Sequence, residues 1–324
     1  MASSFWNGKR VLVTGADGFI GSHLTERLIE LGARVSVLVR GTSVSGTTRH
    51  TFKNLPDVAM ARLESIVCCD IASADTIELI VGIDPQIIFH LAAVAYVPFS
   101  FDHPLEVLAV NVTGTVHMLE ATRRLQSLER VVCTSSSEAY GTALTDRIDE
   151  LHPLNPTSPY AASKAAADRY CFAYGATYGL PIAIIRPFNT YGPRHTYDVI
   201  PKFICLALHN EPITIYGSGE QTRDFMYVTD TVNAFLTMGA HERAVGQVIN
   251  FGTGQDISVD TIARLIKQLA ESNSEIIHVQ ARAAEVDRLC CNYGLARRLF
   301  GWEPQVDIEQ GLKENIEWAR QHWL

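Results

Sequence analysis

The chain has 324 residues, with 27 Lys and Arg against 35 Asp and Glu, a formal net charge of −8, 47% hydrophobic and 19% charged residues. That balance suits a large buried core and excludes a disordered or low-complexity chain, and its acidity disfavours nonspecific binding to nucleic acid or anionic membrane. The longest apolar run, residues 87–99, carries His90 and Pro98 and is shorter than the roughly 20 residues a membrane span needs. The N-terminus lacks an apolar signal core, and the seven cysteines show no CxxC spacing. Neither a disulfide framework nor a metal site is expected, and the chain reads as cytoplasmic with reduced thiols.

Residues 9–14 read as a strand, 18–32 as a helix stopped by glycine, 34–39 as a second strand and 65–69 as a third. Residues 74–82 are helical, 86–92 a fourth strand, 104–126 one long helix, 130–136 a strand, 160–179 a helix and 181–187 a strand. Strands apolar on both faces, alternating with helices, predict an α/β fold: a Rossmann-like doubly wound parallel sheet with right-handed crossovers. Beyond 187 the pattern loosens. Residues 189–201 look loop-like, turn residues recur at 216–221, and 199–210 and 256–272 read as helices. Residues 300–323 end in an amphipathic helix. The expected division is a dinucleotide-binding domain over 1–187 and a smaller substrate-binding lobe over 188–324. The two are interleaved, because segments near 222–252 return to the main sheet.

The first strand-to-helix turn reads VTGADGFIG, with Gly15, Gly18 and Gly21 around Phe19 and Ile20. Glycines there let the backbone turn and let a pyrophosphate approach the helix N-terminus, and the place of the triplet in the fold makes it a strong signal. The second strand ends at Arg40 with no acid beside it, which favours NADP and leaves NAD possible. Asp70 and Ile71, after the third strand, are placed for the adenine; Asp70 could equally cap a helix. Leu91, Ala92 and Ala93 end the fourth strand where the chain can pass beneath the nicotinamide half. His90, just before them, reads as a packed strand-end residue.

Tyr160 and Lys164 stand four apart near the start of a helix, hence on one face. A phenol is a poor base at neutral pH unless a neighbouring cation lowers its pKa, which the ammonium would do. Ser136, at the end of the preceding strand, can hydrogen-bond the same oxygen.

VTGADGFIG, HLAA, NVTGT, SSSEAYG, YAASK, RPFNTYGPR and TRDFMYVTD together resemble the extended short-chain dehydrogenase/reductase family. The resemblance is to its nucleotide-sugar epimerase/dehydratase branch and runs over nearly the whole chain. It implies Ser136, Tyr160 and Lys164 as the catalytic trio. It also implies Asn111 as a supporting active-site residue, Pro187 near the nicotinamide and Asn189 near a sugar diphosphate. Arg223 and Arg282 match the family's phosphate-binding arginines, Arg194 is a further candidate, and Ser100 lies where a hexose could touch. The order Ser136-Ser137-Glu138 resembles the Thr-Ser-Glu of GDP-mannose 4,6-dehydratases, with a serine where other dehydratases carry aspartic acid. RAAEVD, containing Arg282 and Glu285, resembles a signature of that group and of dehydratases in nonulosonic acid pathways.

The resemblance thus implies a nucleotide-hexose 4,6-dehydratase in which Glu138 takes the C5 proton and then serves the departing 6-hydroxyl. A surface carboxylate capping a nearby N–H is the bland alternative for Glu138. A C4 epimerase, a nucleotide-uronate decarboxylase, and a cofactor-binding scaffold without chemistry are the rivals. The helices at 104–126 and 160–179 resemble the family's homodimer interface.

Overall fold

The computed structural model describes residues 3–40, 54–281 and 286–324. Its strands in chain order are β1 (Arg10–Thr14), β2 (Arg34–Val39), β3 (Ser65–Cys68), β4 (Ile87–His90), β5 (Arg130–Thr134), β6 (Ile182–Pro187) and β7 (Asn189–Tyr191). There follow β8 (Ile213–Tyr216), β9 (Thr222–Tyr227), β10 (Val248–Phe251), β11 (Asp256–Ser258), β12 (Ile276–Val279) and β13 (Arg288–Leu289). The chain divides into two compact units. The first comprises Met1–Ser136, Ser158–Arg186 and Val232–Ile249; the second Ser137–Thr157, Pro187–Thr231 and Asn250–Leu324.

The first unit is built on a sheet in the order β3-β2-β1-β4-β5-β6-β10. The pairings of β1 with β2 and β4, β2 with β3, β4 with β5 and β5 with β6 are all parallel. The order reverses between β1 and β4, the switch point at whose carboxyl edge a doubly wound sheet opens a crevice. β4 is buried at every residue, as expected of a strand covered by helices on both faces. Leu12, Leu38, Ile88, Val131, Ile184, Met118 and Leu119 share one core cluster. Each such side chain contributes about 1.5–3 kcal/mol by leaving water.

The long helix expected over 104–126 is there with an interruption. Pro104–Leu108 and Gly114–Thr122 are α-helical, and Ala109–Thr113 between them is a π-turn. The extra residue re-aims the side chains of the turn. The helix Pro159–Tyr178 has sharp ends: Ser158 accepts from the Ala161 N–H at 3.1 Å, Pro159 takes the first position, and Gly179 (φ 66°) closes it.

In the second unit β9 lies between β11 and β13 and also pairs with β7, while β8 and β12 form a separate parallel pair. Two expectations change here. Residues 189–201 contain β7, parallel to β9, and the start of the helix Val199–Leu208. Residues 256–272 begin as β11, whose last residue, Ser258, caps the helix Val259–Leu269. The stretch 222–252 divides, since 232–249 belongs to the first unit and β9 is held in the second by its own strand partners. Among the described residues no helix is long and apolar enough to cross a membrane.

Candidate active site

The glycine turn leaves β1 and leads into the helix Phe19–Glu30. Gly15 sits at φ 70°, where a Cβ would come 2.8 Å from the Ala92 nitrogen; at Gly21 a Cβ would meet the Gly15 carbonyl oxygen at 2.2 Å. No side chain but hydrogen fits at either place, so the backbone of β1, the turn and the end of β4 close on one another. Gly18 is the N-cap, without a side-chain cap. The helix therefore presents backbone N–H groups and the positive end of its dipole, a cradle that suits a pyrophosphate. Phe19 and Ile20 are half-buried in that first turn, and Leu91, Ala92 and Ala93 are half-buried past β4.

Arg40, at the end of β2, is half-exposed and lies 3.7 Å from the Glu106 carboxylate. Asp70 is exposed and its Oδ1 accepts from the Ala72 N–H at 2.9 Å. Ile71 is buried in the core cluster, where a Cβ on Gly114 would strike its Cγ2 at 2.7 Å.

Tyr160 and Lys164 are both buried in the first turns of the helix Pro159–Tyr178. The Lys164 ammonium donates to the Thr134 carbonyl at the end of β5. Burial pushes Lys164 down to about 8, against the opposing pull of Cys171, Cys133 and Asp168. Ser136 is buried just beyond β5, and buried hydroxyls of Thr134 and Ser135 beside it have no hydrogen-bond partner among the described residues. Asn111, inside the π-turn, spends its amide on the fold: Oδ1 accepts from the Val94 N–H at 2.8 Å. Its Nδ2 donates to the Val94 carbonyl at 3.1 Å and to Ser163 Oγ at 2.9 Å.

Sequence reasoning missed Asp168, four residues past Lys164 and so on the same helix face. It is buried and accepts from Arg186 Nε at 2.8 Å, which fixes the helix to β6. Burial opposes its ionisation, but the Arg186 and Arg169 guanidinium groups prevail and hold it below its ordinary value.

In the second unit Ser137–Tyr140 forms a 3₁₀ turn with Ser137 buried and Glu138 half-buried. Tyr140 Oη donates to Asn250 Oδ1 of the same unit at 2.7 Å, anchoring that turn. Asn189, on β7, has its Oδ1 buried without a hydrogen-bond partner among the described residues. Pro187 is half-buried at the end of β6. Arg194 is half-buried at φ 72°, a conformation that costs a non-glycine residue energy. Arg223 Nη1 donates to the Val286 and Thr222 carbonyls at 2.7 and 2.9 Å. Ser100, in the first unit, is buried with its hydroxyl donated to the Val97 carbonyl at 2.7 Å. Arg282 and Glu285 lie outside the described residues.

A switch-point cradle and a buried Tyr-x-x-x-Lys pair on one helix define the class as a nucleotide-dependent enzyme of the short-chain dehydrogenase/reductase type. Comparison with known proteins carries this further. The GDP-mannose 4,6 dehydratase family matches residues 12–315. The dTDP-D-glucose 4,6-dehydratase of Homo sapiens is 36% identical over 325 residues, 97% of this chain and 91% of that protein. The UDP-glucose 4-epimerase of Mycolicibacterium smegmatis is 35% identical over 316 residues, 96% and 98% of the two chains. The solved structure of a dTDP-glucose 4,6-dehydratase from Streptomyces venezuelae, with NAD bound, superposes with TM-score 0.87 at 31% identity, covering 97% of each chain. The chain belongs to this extended short-chain dehydrogenase/reductase family of nucleotide-sugar dehydratases and epimerases.

Proposed function

We propose that the protein is an NAD(P)-dependent 4,6-dehydratase that converts a nucleotide-linked hexose to its 4-keto-6-deoxy form. The observation that carries this reading is Glu138, a half-buried carboxylate two residues beyond Ser136 on an anchored turn. The glycine cradle would hold the pyrophosphate of the dinucleotide. When bound, its nicotinamide would supply the hydride acceptor for C4 of the sugar and the hydride donor for C6.

Tyr160 takes the proton from the C4 hydroxyl while Ser136 donates a hydrogen bond to the same oxygen. The Lys164 ammonium favours the phenolate. The resulting C4 ketone acidifies the C5 proton, which Glu138 removes. Glu138, now protonated, gives that proton to the departing O6, so one water leaves; once C6 has its hydride, C5 takes a proton from solvent by way of Glu138, balanced by the proton that Tyr160 took from the C4 hydroxyl and releases. Ser137 supports this turn and supplies no acid of its own. The Asn189 Oδ1, buried without a hydrogen-bond partner among the described residues, offers an acceptor to a hydroxyl of the substrate, and its amide N–H groups can donate to the diphosphate. Arg194, Arg223 and Arg282 serve the diphosphate end, and Glu285 a hydroxyl or N–H of the substrate.

Cofactor preference turns on Arg40, which would pair with a 2′-phosphate, and on Glu106, which opposes an anion there. The human dehydratase relative supports the reading. The mycobacterial relative favours C4 epimerisation as the second. Two copies would pair through Phe101, Leu105, Leu108, Tyr170 and Phe172, large apolar side chains left exposed on helices of the first unit.

Incubation with UDP-, GDP-, dTDP- and CDP-hexoses, followed by mass spectrometry, tests the assignment. Loss of one water from one of them is expected. An isomeric product of unchanged mass would replace the dehydratase with the epimerase.

A further inference from the structure

A buried row of polar groups joins the glycine cradle to the helix that carries Tyr160. The Ala92 N–H donates to Thr14 Oγ1 at 3.2 Å, and Thr14 Oγ1 lies 2.9 Å from His90 Nδ1. On its other side His90 Nε2 lies 3.0 Å from Thr115 Oγ1, whose hydroxyl donates back to the Asn111 carbonyl at 2.6 Å. Thr14, His90, Thr115 and Asn111 are all buried.

With the imidazole neutral, the proton inventory has one solution. Thr115 has given its only proton to Asn111, so it can only accept from His90, and Nε2 must carry the hydrogen. Nδ1 is then the acceptor for the Thr14 hydroxyl, whose oxygen is left to receive the Ala92 N–H. Every link points the same way, and His90 is neutral. Burial, reinforced by the charge of Lys164, agrees by pushing it down to about 3.

Both ends of the row sit on mechanical parts. At one end, Ala92 is the residue against which Gly15 closes. At the other, Asn111 belongs to the π-turn, and its amide holds the Ser163 hydroxyl, which itself donates to the Tyr160 carbonyl at 2.7 Å.

We propose that Thr14, His90 and Thr115 are positioning residues that couple occupation of the glycine cradle to the placement of the Tyr160 turn. The coupling runs through the Asn111 π-turn and Ser163, and dinucleotide binding and ordering of the phenol stabilise each other. This rests on the cofactor reading given above. His90 touches neither substrate nor cofactor in this role; it fixes the direction of the hydrogen bonds.

Thr115→Val keeps the shape and removes the hydroxyl; Thr115→Ser keeps the hydroxyl. Amide hydrogen exchange is followed with and without saturating NAD⁺ or NADP⁺. In the wild type the dinucleotide slows exchange both at the glycine turn and at residues 160–164. In Thr115→Val the protection at 160–164 falls about tenfold while that at the glycine turn persists, and Thr115→Ser restores it. Undiminished protection at 160–164 in Thr115→Val, with the dinucleotide bound, would overturn the coupling and leave the cofactor reading intact. Failure of the wild type to bind either dinucleotide would overturn both.

Discussion

Two buried charges, Asp224 in the second unit and Lys164 in the first, are treated in opposite ways. In the second unit the Asp224 carboxylate, fully buried, accepts four hydrogen bonds: Thr253 N–H at 2.8 Å, Thr253 Oγ1 at 2.6 Å, Gly254 N–H at 2.8 Å and Cys291 N–H at 3.0 Å. Burial pushes its pKa up, and those donors pull against the shift. In the first unit the Lys164 ammonium has three N–H groups, and one goes to the Thr134 carbonyl. Burial depresses it to about 8. A charge whose lone pairs are filled by the fold holds loops together. A charge with donors unspent among the described residues, on one helix face with Tyr160, is on the proposed function kept for a ligand.

The largest expected effect sharpens this contrast from the Lys164 side. Tyr160→Phe should lower kcat about 10³-fold on the hexose found to lose water, with thermal stability close to wild type, as read by initial rates and melting. A melting loss as large as the activity loss would make Tyr160 a packing residue. From the other side, Asp224→Ala strands four donors. It should cost about 3 kcal/mol in denaturant unfolding while the surviving folded protein turns over near the wild-type rate. Full stability in that variant would remove the structural role assigned to Asp224.

The pH dependence probes Lys164 through the rate. Its ordinary value is 10.5 and its folded value about 8, so between these the unfolded chain binds more protons than the native one. The contribution of Lys164 to stability therefore rises with pH across that window. Turnover should fall over the same window, because the ammonium that favours the Tyr160 phenolate is lost above about pH 8. A rate profile still flat at pH 9.5 would contradict it. The smallest effect is Arg40→Ser, which should weaken NADP⁺ binding about tenfold and leave NAD⁺ nearly unchanged in calorimetry.

The first unit was largely legible in the sequence. Its strands are continuous apolar runs, its helices end at Gly32 and Gly179, and the glycine turn and the Tyr160–Lys164 spacing stand in contiguous motifs. What the sequence hid depends on partners far along the chain or on patterns with no period. The π-turn at 109–113 leaves the apolar pattern of its helix intact, so nothing marks the extra residue. β7 is three residues that become a strand only by pairing with β9. Asp224 stands next to Arg223 in the sequence, yet its donors come from residues 253, 254 and 291. His90 reads as an ordinary strand-end residue until Thr14, on β1, and Thr115, past the π-turn, flank its ring.

The claim on which the mechanism depends is that Glu138 removes a proton from carbon five of the sugar. Turnover in deuterium oxide, with the product examined by proton NMR, tests it directly. The account predicts solvent deuterium at C5 in wild-type product, and in Glu138→Gln a rate about 10²-fold lower or worse with the C4 oxidation step retained. Product formed at full rate with its original C5 hydrogen would contradict it.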